Sequence, residues 1–124
     1  MAESLTFYVD GLGFALHEKW VDEGRIRWCW LSRERAAVML QEINREGPHA
    51  WKPDGKLGVG VSMNFICRDA IALYHEFTSR GVAAGRPFVG NSMWVTSMTD
   101  PDGYALHFES KTDAPEESVY KDPR

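Results

Sequence analysis

The chain has 124 residues, which is enough for one compact domain with its own core. It carries 14 Lys and Arg against 18 Asp and Glu, for a formal net charge of −4. This balance argues against nucleic acid and against an anionic membrane surface, because both bind clustered basic side chains. No apolar run approaches the length of about 18 residues that spans a bilayer. The first residues do not resemble a signal peptide, and the isolated Cys29 and Cys67 predict buried free thiols, so we predict a cytoplasmic protein.

The first half of the chain predicts one helix and three strands. Apolar residues at helical spacing place the helix over residues 4–12. The predicted strands cover residues 14–21, 25–32 and 36–43. In the middle strand Trp28 and Trp30 alternate with Cys29 and Leu31, so the two pairs point to opposite faces. Residues 44–56 are polar and contain Gly and Pro, which predicts a long loop.

The second half predicts a strand, a helix and three further strands. The strand covers residues 58–68, and Asp69 is a suitable N-cap for a helix that begins at Ala70 and that Gly81 ends. Residues 82–89 are predicted to lead into a short strand around Pro87, and the last two strands are predicted over residues 93–99 and 104–110. The two halves therefore repeat one order of elements, which indicates an internal duplication. The first copy lacks the strand that precedes the helix in the second.

The stretch from Thr99 to Ser110 combines a turn with the last strand. Asp100-Pro101-Asp102-Gly103 is typical of a type I turn. Strand alternation then gives an apolar face and a polar one, the latter with Ala105, His107 and Glu109. We expect this polar face to form the floor of any site.

Three segments carry a resemblance to a known family: residues 4–14 (SLTFYVDGLGF), 37–42 (AVMLQE) and 100–108 (DPDGYALHF). They resemble the vicinal oxygen chelate superfamily of glyoxalases, bleomycin resistance proteins and dioxygenases. The resemblance implies an α+β fold in which paired βαβββ modules form a cupped mixed β-sheet around a shared cavity, usually in a homodimer. On this basis we predict one domain over residues 1–110, with modules 1–56 and 57–110, the first strand of module one missing, and an irregular tail over 111–124. A second copy of the chain, or a start late relative to a longer natural protein, would account for the missing strand.

The resemblance also bears on metal. Metal enzymes of the family take ligands from the first and last strands of each module. Here the first strand is missing, Met39 or Leu40 stands at the second position, Ser62 stands where His is typical, and His107 stands where Glu is typical. This set falls short of the three protein ligands of a catalytic metal. The chain is thus expected to bind no metal; the alternative is a divalent ion such as Ni, Zn, Mn or Fe.

Candidate site residues follow from the strand pattern and the resemblance together. The ligand-binding candidates are Trp28, Trp30, Met39, Gln41, Ser62, Asn64, Trp94 and His107. His107 and Glu109 are the candidate catalytic residues, with His107 as a hydrogen-bonding group or general base. Core packing is the alternative role for the tryptophans, and a solvated position is the alternative for Gln41 and Glu109.

Two functions remain open at this point. The preferred one is metal-independent binding of a small molecule, including a drug, in a cavity between the modules, for which the acidic charge suits a cationic ligand. The alternative is a glyoxalase-like lyase or a dioxygenase that acts on a substrate with vicinal oxygens. In that case a divalent metal acts as a Lewis acid, with His107 as ligand and Glu109 as ligand or base.

Overall fold

Residues 1–123 are described by a computed structural model, in which chain contacts define two units. The first unit covers Met1–Leu57 and the second begins at Gly58. Each unit combines helix with one β-sheet, three-stranded in the first and four-stranded in the second. This agrees with the predicted α+β class. In the described part of the chain, no helix is both long and apolar enough to cross a membrane.

The first unit is a helical segment followed by an antiparallel sheet. Its elements are α1 (Ala2–Leu5), a π-helical segment (Thr6–Gly11), β1 (Ala15–Asp22), β2 (Arg25–Arg33) and β3 (Ala36–Gln41). The strands lie in the order β1-β2-β3. Tyr8 of the helical segment and Leu12, which follows its end, are buried, as are Phe14, Cys29 and Leu31. A side-chain nitrogen of Arg33 donates to the Leu12 carbonyl at 2.7 Å and satisfies an acceptor at the helix end.

The second unit is a mixed sheet with one helix. Its elements are β4 (Ser62–Ile66), α2 (Ala70–Ser79), β5 (Phe88–Gly90), β6 (Met93–Thr99) and β7 (Ala105–Lys111). The strand order is β4-β7-β6-β5, in which β4 runs parallel to β7 and the other pairs are antiparallel. This is the strand, helix and three-strand order predicted for module two.

Polar groups fix the start of α2 on the sheet. The Asp69 side chain accepts from the Ala72 N–H at 3.0 Å, which confirms the predicted N-cap. The Ala70 N–H donates to Ser110 Oγ at 2.9 Å, and Thr96 Oγ1 donates to the Ala70 carbonyl at 2.7 Å. Both buried hydroxyls therefore have partners, as buried polar groups require. Phe77 then packs on Phe108 from the helix, with ring centroids 5.0 Å apart.

The predicted turn before β7 forms as expected. The Gly103 N–H donates to the Asp100 carbonyl at 3.0 Å, which closes the turn. The Asp100 carboxylate also accepts from the N–H groups of Asp102 at 3.0 Å and Tyr104 at 2.9 Å. Gly58 approaches this turn so closely that a Cβ on it would lie 2.4 Å from the Gly103 carbonyl oxygen.

Several predicted boundaries differ from the structure. The strand predicted over residues 58–68 is confined to β4, because Gly58 and Gly60 have φ of +81° and +75° and so leave the extended region. The tail after β7 is hydrogen-bonded to β5: the Val89 N–H donates to Ser118 O at 2.9 Å. Among residues 1–123 no strand precedes α1, and β3 pairs only with β2. The first sheet therefore has an open edge at β3.

Candidate functional site

Four of the predicted ligand-binding residues lie together on one face of the first sheet. Trp28 is paired with Gln41 and Trp30 with Met39 across β2 and β3. Because paired residues of antiparallel strands share a face, these four side chains form one surface, which we call the tryptophan face. Trp20 of β1 joins it through its pairing with Trp28. The exposed fractions are 59% for Trp20, 37% for Trp30 and 64% for Met39, so much of this aromatic surface is open to solvent.

Polar groups border the tryptophan face on β1. The His17 ring lies 5.3 Å from the Trp30 ring, and its Nε2 is hydrogen-bonded to Ser32 Oγ. Glu18 is paired with Trp30 and brings a carboxylate to the same face. Aromatic rings with a nearby carboxylate favour a flat cation, since both the ring quadrupole and the charge attract it.

Trp20, His17 and Ser32 were not predicted as site residues. The register of β1 shifts between Leu16 and Glu18 and again between Trp20 and Val21. Each shift breaks the alternation from which a side chain's face is inferred. The high content of tryptophan is the one sequence signal that pointed toward Trp20.

The second sheet has a polar open face built around His107. His107 pairs with Asn64 of β4 on one side and with Ser97 of β6 on the other. Its Nδ1 lies 3.0 Å from Ser97 Oγ, within hydrogen-bond distance. Ser62 and Glu109 lie on the same face by strand alternation, at either end of the row. This set, called here the His107 face, contains four of the predicted residues: Ser62, Asn64, His107 and Glu109.

Trp94 lies apart from the other candidates. It pairs with Val89 and Ser110, which places it on the side of the sheet that carries α2, opposite His107. Its ring contacts the Tyr120 ring edge-on, with centroids 6.1 Å apart. The structure thus gives Trp94 a packing environment and does not bring it to either open face.

The side chains around His107 do not provide the ligands that a catalytic metal ion needs. Within residues 1–123 no three His, Cys, Asp or Glu side chains come close enough to share an ion. At His107 the strand neighbours are Asn64 and Ser97, and Nδ1 already has a hydroxyl partner. This donor set does not fit a catalytic divalent metal, which normally takes three protein ligands. Metal independence itself stays a prediction.

Taken together, the two units define a class of small α+β proteins built from two related modules, each with an open sheet face. The sequence profile of the Glyoxalase/Bleomycin resistance protein/Dioxygenase superfamily matches residues 1–108. The chain belongs to this superfamily, as the sequence motifs indicated.

Solved structures share the fold at low sequence identity. TioX from Micromonospora sp. ML1 is 17% identical, with a TM-score of 0.68 and coverage of 89% of each chain. TnmS3, an antibiotic binding protein from Streptomyces sp. CB03234, is 18% identical, with a TM-score of 0.64 over 90% of this chain and 86% of that one. A glyoxalase/bleomycin resistance protein/dioxygenase from Alicyclobacillus acidocaldarius is 20% identical, with a TM-score of 0.63 over 91% and 84%. No match was found among curated proteins.

Proposed function

We propose that this protein binds a flat, cationic aromatic small molecule on the tryptophan face, without a metal ion. The observation that carries the proposal is the row of Trp20, Trp28 and Trp30 on one sheet face, in which Trp20 and Trp30 are exposed and Trp28 is half-buried, with the exposed Met39 beside it. Large indole rings are normally buried. An exposed group of them on one surface marks a site that binds a ligand or a partner. Stacking on an indole contributes about 0.5–1.5 kcal/mol of binding free energy per ring pair, beyond the contribution of the buried area.

The charges around the face support a cation over an anion. Glu18 lies on the face, whereas the basic side chains of β2 alternate to the opposite one. Arg27 is engaged there by Glu42 at 3.5 Å and by Asp22 at 3.8 Å. The face therefore offers π-electron density and a carboxylate with no cation from β2 to repel a positively charged ligand.

The superfamily to which the chain belongs includes bleomycin resistance proteins, which supports a role in binding a small molecule. One protein with the same fold, TnmS3, is described as an antibiotic binding protein, although at 18% identity it speaks for the fold alone. Binding through shape, stacking and charge needs no bond to be made or broken. The donor set around His107, which does not fit a catalytic ion, is in keeping with such a role.

The test is calorimetric titration with two planar probes at neutral pH, proflavine as a cation and acridine as its uncharged analogue. We expect proflavine to bind more tightly than acridine. Trp28→Leu and Trp30→Leu should each weaken proflavine binding about three- to tenfold, from lost stacking and cation–π attraction. Trp94→Phe is the matched control, because Trp94 lies on the helix side of the other sheet.

Two results would count against the proposal. One is proflavine binding that Trp94→Phe weakens and the two face variants leave unchanged. The other is binding that appears only when Ni, Zn, Mn or Fe(II) is added to protein dialysed against a chelator, with loss of that effect in His107→Ala. The second result would favour the metal-dependent lyase or dioxygenase.

A further inference from the structure

The tail that follows β7 pairs with the outer edge of β5 in the second unit. The Val89 N–H donates to Ser118 O at 2.9 Å, and the Glu117 N–H donates to Val89 O at 2.9 Å. The Tyr120 N–H then donates to Pro87 O at 2.8 Å. These hydrogen bonds join backbone atoms, so the β5 edge would accept the backbone of another extended segment in the same way.

Tyr120 anchors the tail between α2 and β6. Its ring lies edge-on to three aromatic rings, with centroids 5.6 Å from His75, 6.3 Å from Tyr74 and 6.1 Å from Trp94. Its hydroxyl lies 3.1 Å from His75 Nε2, within hydrogen-bond distance. The helix and the sheet thus form an aromatic site for one ring of the tail and supply a partner for its polar end.

A carboxylate of the tail meets Arg86 and His75 beside this ring. Asp122 Oδ2 lies 3.7 Å from Arg86 Nη1, and Asp122 Oδ1 lies 3.6 Å from His75 Nε2. The Arg86 guanidinium also donates to Tyr120 O at 3.2 Å. The site is therefore complementary to a tyrosine that is followed, two residues later, by an acidic side chain.

The tail is held by these edge contacts and adds little to the core. Val119 is 54% exposed, and Lys121 and Asp122 are exposed as well. The core of the unit includes Phe77 of α2 and Leu106 of β7, both fully buried. A segment held in this way can open locally while the helix and the sheet stay folded.

We propose that this region, called here the tail site (the β5 edge with Tyr74, His75, Arg86 and Trp94), is a docking site for an extended peptide. The peptide carries a tyrosine and, two residues later, an acidic residue, and it adds a strand to β5. The chain's own tail occupies the site and competes with the peptide at an effective concentration on the order of millimolar. The inference goes beyond the proposed function, because the tail site lies in the second unit and the tryptophan face in the first.

The test follows the fluorescence anisotropy of a labelled peptide with the sequence of residues 114–122 (APEESVYKD), added to the full chain. In the double variant Tyr120→Ala/Asp122→Ala the tail loses both anchors. The peptide should bind this variant in a saturable way and at least about tenfold more tightly than it binds the wild type, in which the tail competes. A control peptide with Ala in place of its Tyr and Asp should bind at least about tenfold more weakly.

Two further substitutions in the double variant locate the bound peptide. Arg86→Ala should weaken peptide binding about three- to fivefold, because it removes the partner of the peptide carboxylate at an exposed position. Arg80→Ala is the matched control, because Arg80 of α2 pairs with Glu76 at 2.9 Å and has no contact with the tail among those observed. It should leave the affinity for the peptide unchanged.

Three results would overturn the proposal: no saturable binding to a double variant that circular dichroism shows to be folded, equal binding of the control peptide, or a larger loss in Arg80→Ala than in Arg86→Ala. If the double variant does not fold, Asp122→Ala alone takes its place, since that side chain is 55% exposed. The peptide should bind Asp122→Ala at least about threefold more tightly than the wild type, and no gain in affinity would overturn the proposal.

Discussion

The Ser97 hydroxyl and the His107 Nδ1 lie 3.0 Å apart across β6 and β7. In either direction of the hydrogen bond, this contact occupies one of the two ring nitrogens and fixes the imidazole plane. Only Nε2 is then left to meet a ligand. A histidine held in this way is suited to orient a bound molecule through one hydrogen bond.

Removing the Ser97 hydroxyl should therefore alter the hydrogen bonding and orientation of the His107 ring more than it alters the neighbouring residues. We expect Ser97→Ala to shift the ring nitrogen resonances of His107 in nitrogen-15 NMR and to cost about 0.5–1.5 kcal/mol of unfolding free energy. Ser62→Ala, on the same face but paired with Ala105, is the control and should leave the ring resonances in place. Equal shifts in both variants would contradict a specific contact.

The close approach of Gly58 to the turn before β7 predicts an unequal effect of two similar substitutions. Gly58 and Gly60 both have positive φ, but only at Gly58 would a Cβ meet backbone, at 2.4 Å from Gly103 O. Gly60→Ala should cost about 1 kcal/mol from φ strain alone. Gly58→Ala should cost a further 1–3 kcal/mol or so, since the backbone must move. Denaturant unfolding measures the unfolding free energy of both variants. Equal losses of unfolding free energy would show that the turn moves aside for the new Cβ at no cost in stability.

A carboxylate of the tail binds the turn between β5 and β6 and so holds the tail on β5. Glu116 accepts from the N–H groups of Asn91 at 3.1 Å and Ser92 at 2.7 Å. Glu116→Ala should loosen the tail and speed hydrogen exchange of the Val89 amide about fivefold, because its acceptor is Ser118 O. Asp113→Ala, a nearby position in the tail, should leave that rate unchanged. If the Val89 amide exchanges as slowly in Glu116→Ala as in the wild type, backbone pairing alone holds the tail.

Burial raises the pKa of the Cys29 thiol above its usual range. The unfolded chain loses this proton at about pH 8.5, whereas the folded chain keeps it to higher pH. The folded state then binds more protons, so unfolding free energy should fall as pH rises above that value. Denaturant unfolding from neutral to alkaline pH should show the stability advantage of wild type over Cys29→Ala shrinking. A stability difference between wild type and Cys29→Ala that does not change with pH would contradict the raised pKa of Cys29.

Much of the fold could be predicted because local signals and burial agree. The Asp69 cap, the Asp100 turn and the bounds of β6 all follow from short-range chemistry that the structure realises. The π-helical form of residues 6–11 has no signal in the sequence that we can name. The shortened β4 depends on two glycines that the predicted strand treated as extended.

Which candidate side chains share a face could be predicted where strand alternation is regular, and could not where it is broken. Trp28, Trp30, Met39 and Gln41 come together because β2 and β3 pair without a shift. Trp20 was missed because of the register shift beside it. The side of Trp94 could not be predicted because each side of β6 mixes apolar and hydroxyl side chains and contributes a buried residue, Val95 at 5% exposed and Thr96 at 0%, so hydrophobicity does not tell the two sides apart.

The most direct test of ligand binding on the tryptophan face is an NMR titration that follows the indole Nε1–H resonances of the five tryptophans. Single Trp→Phe variants assign the resonances, and proflavine is the probe. We predict that the resonances of Trp28 and Trp30 shift in a saturable way in chelator-treated protein while that of Trp94 stays in place. A saturable shift of Trp94 with Trp28 and Trp30 unmoved would contradict the account.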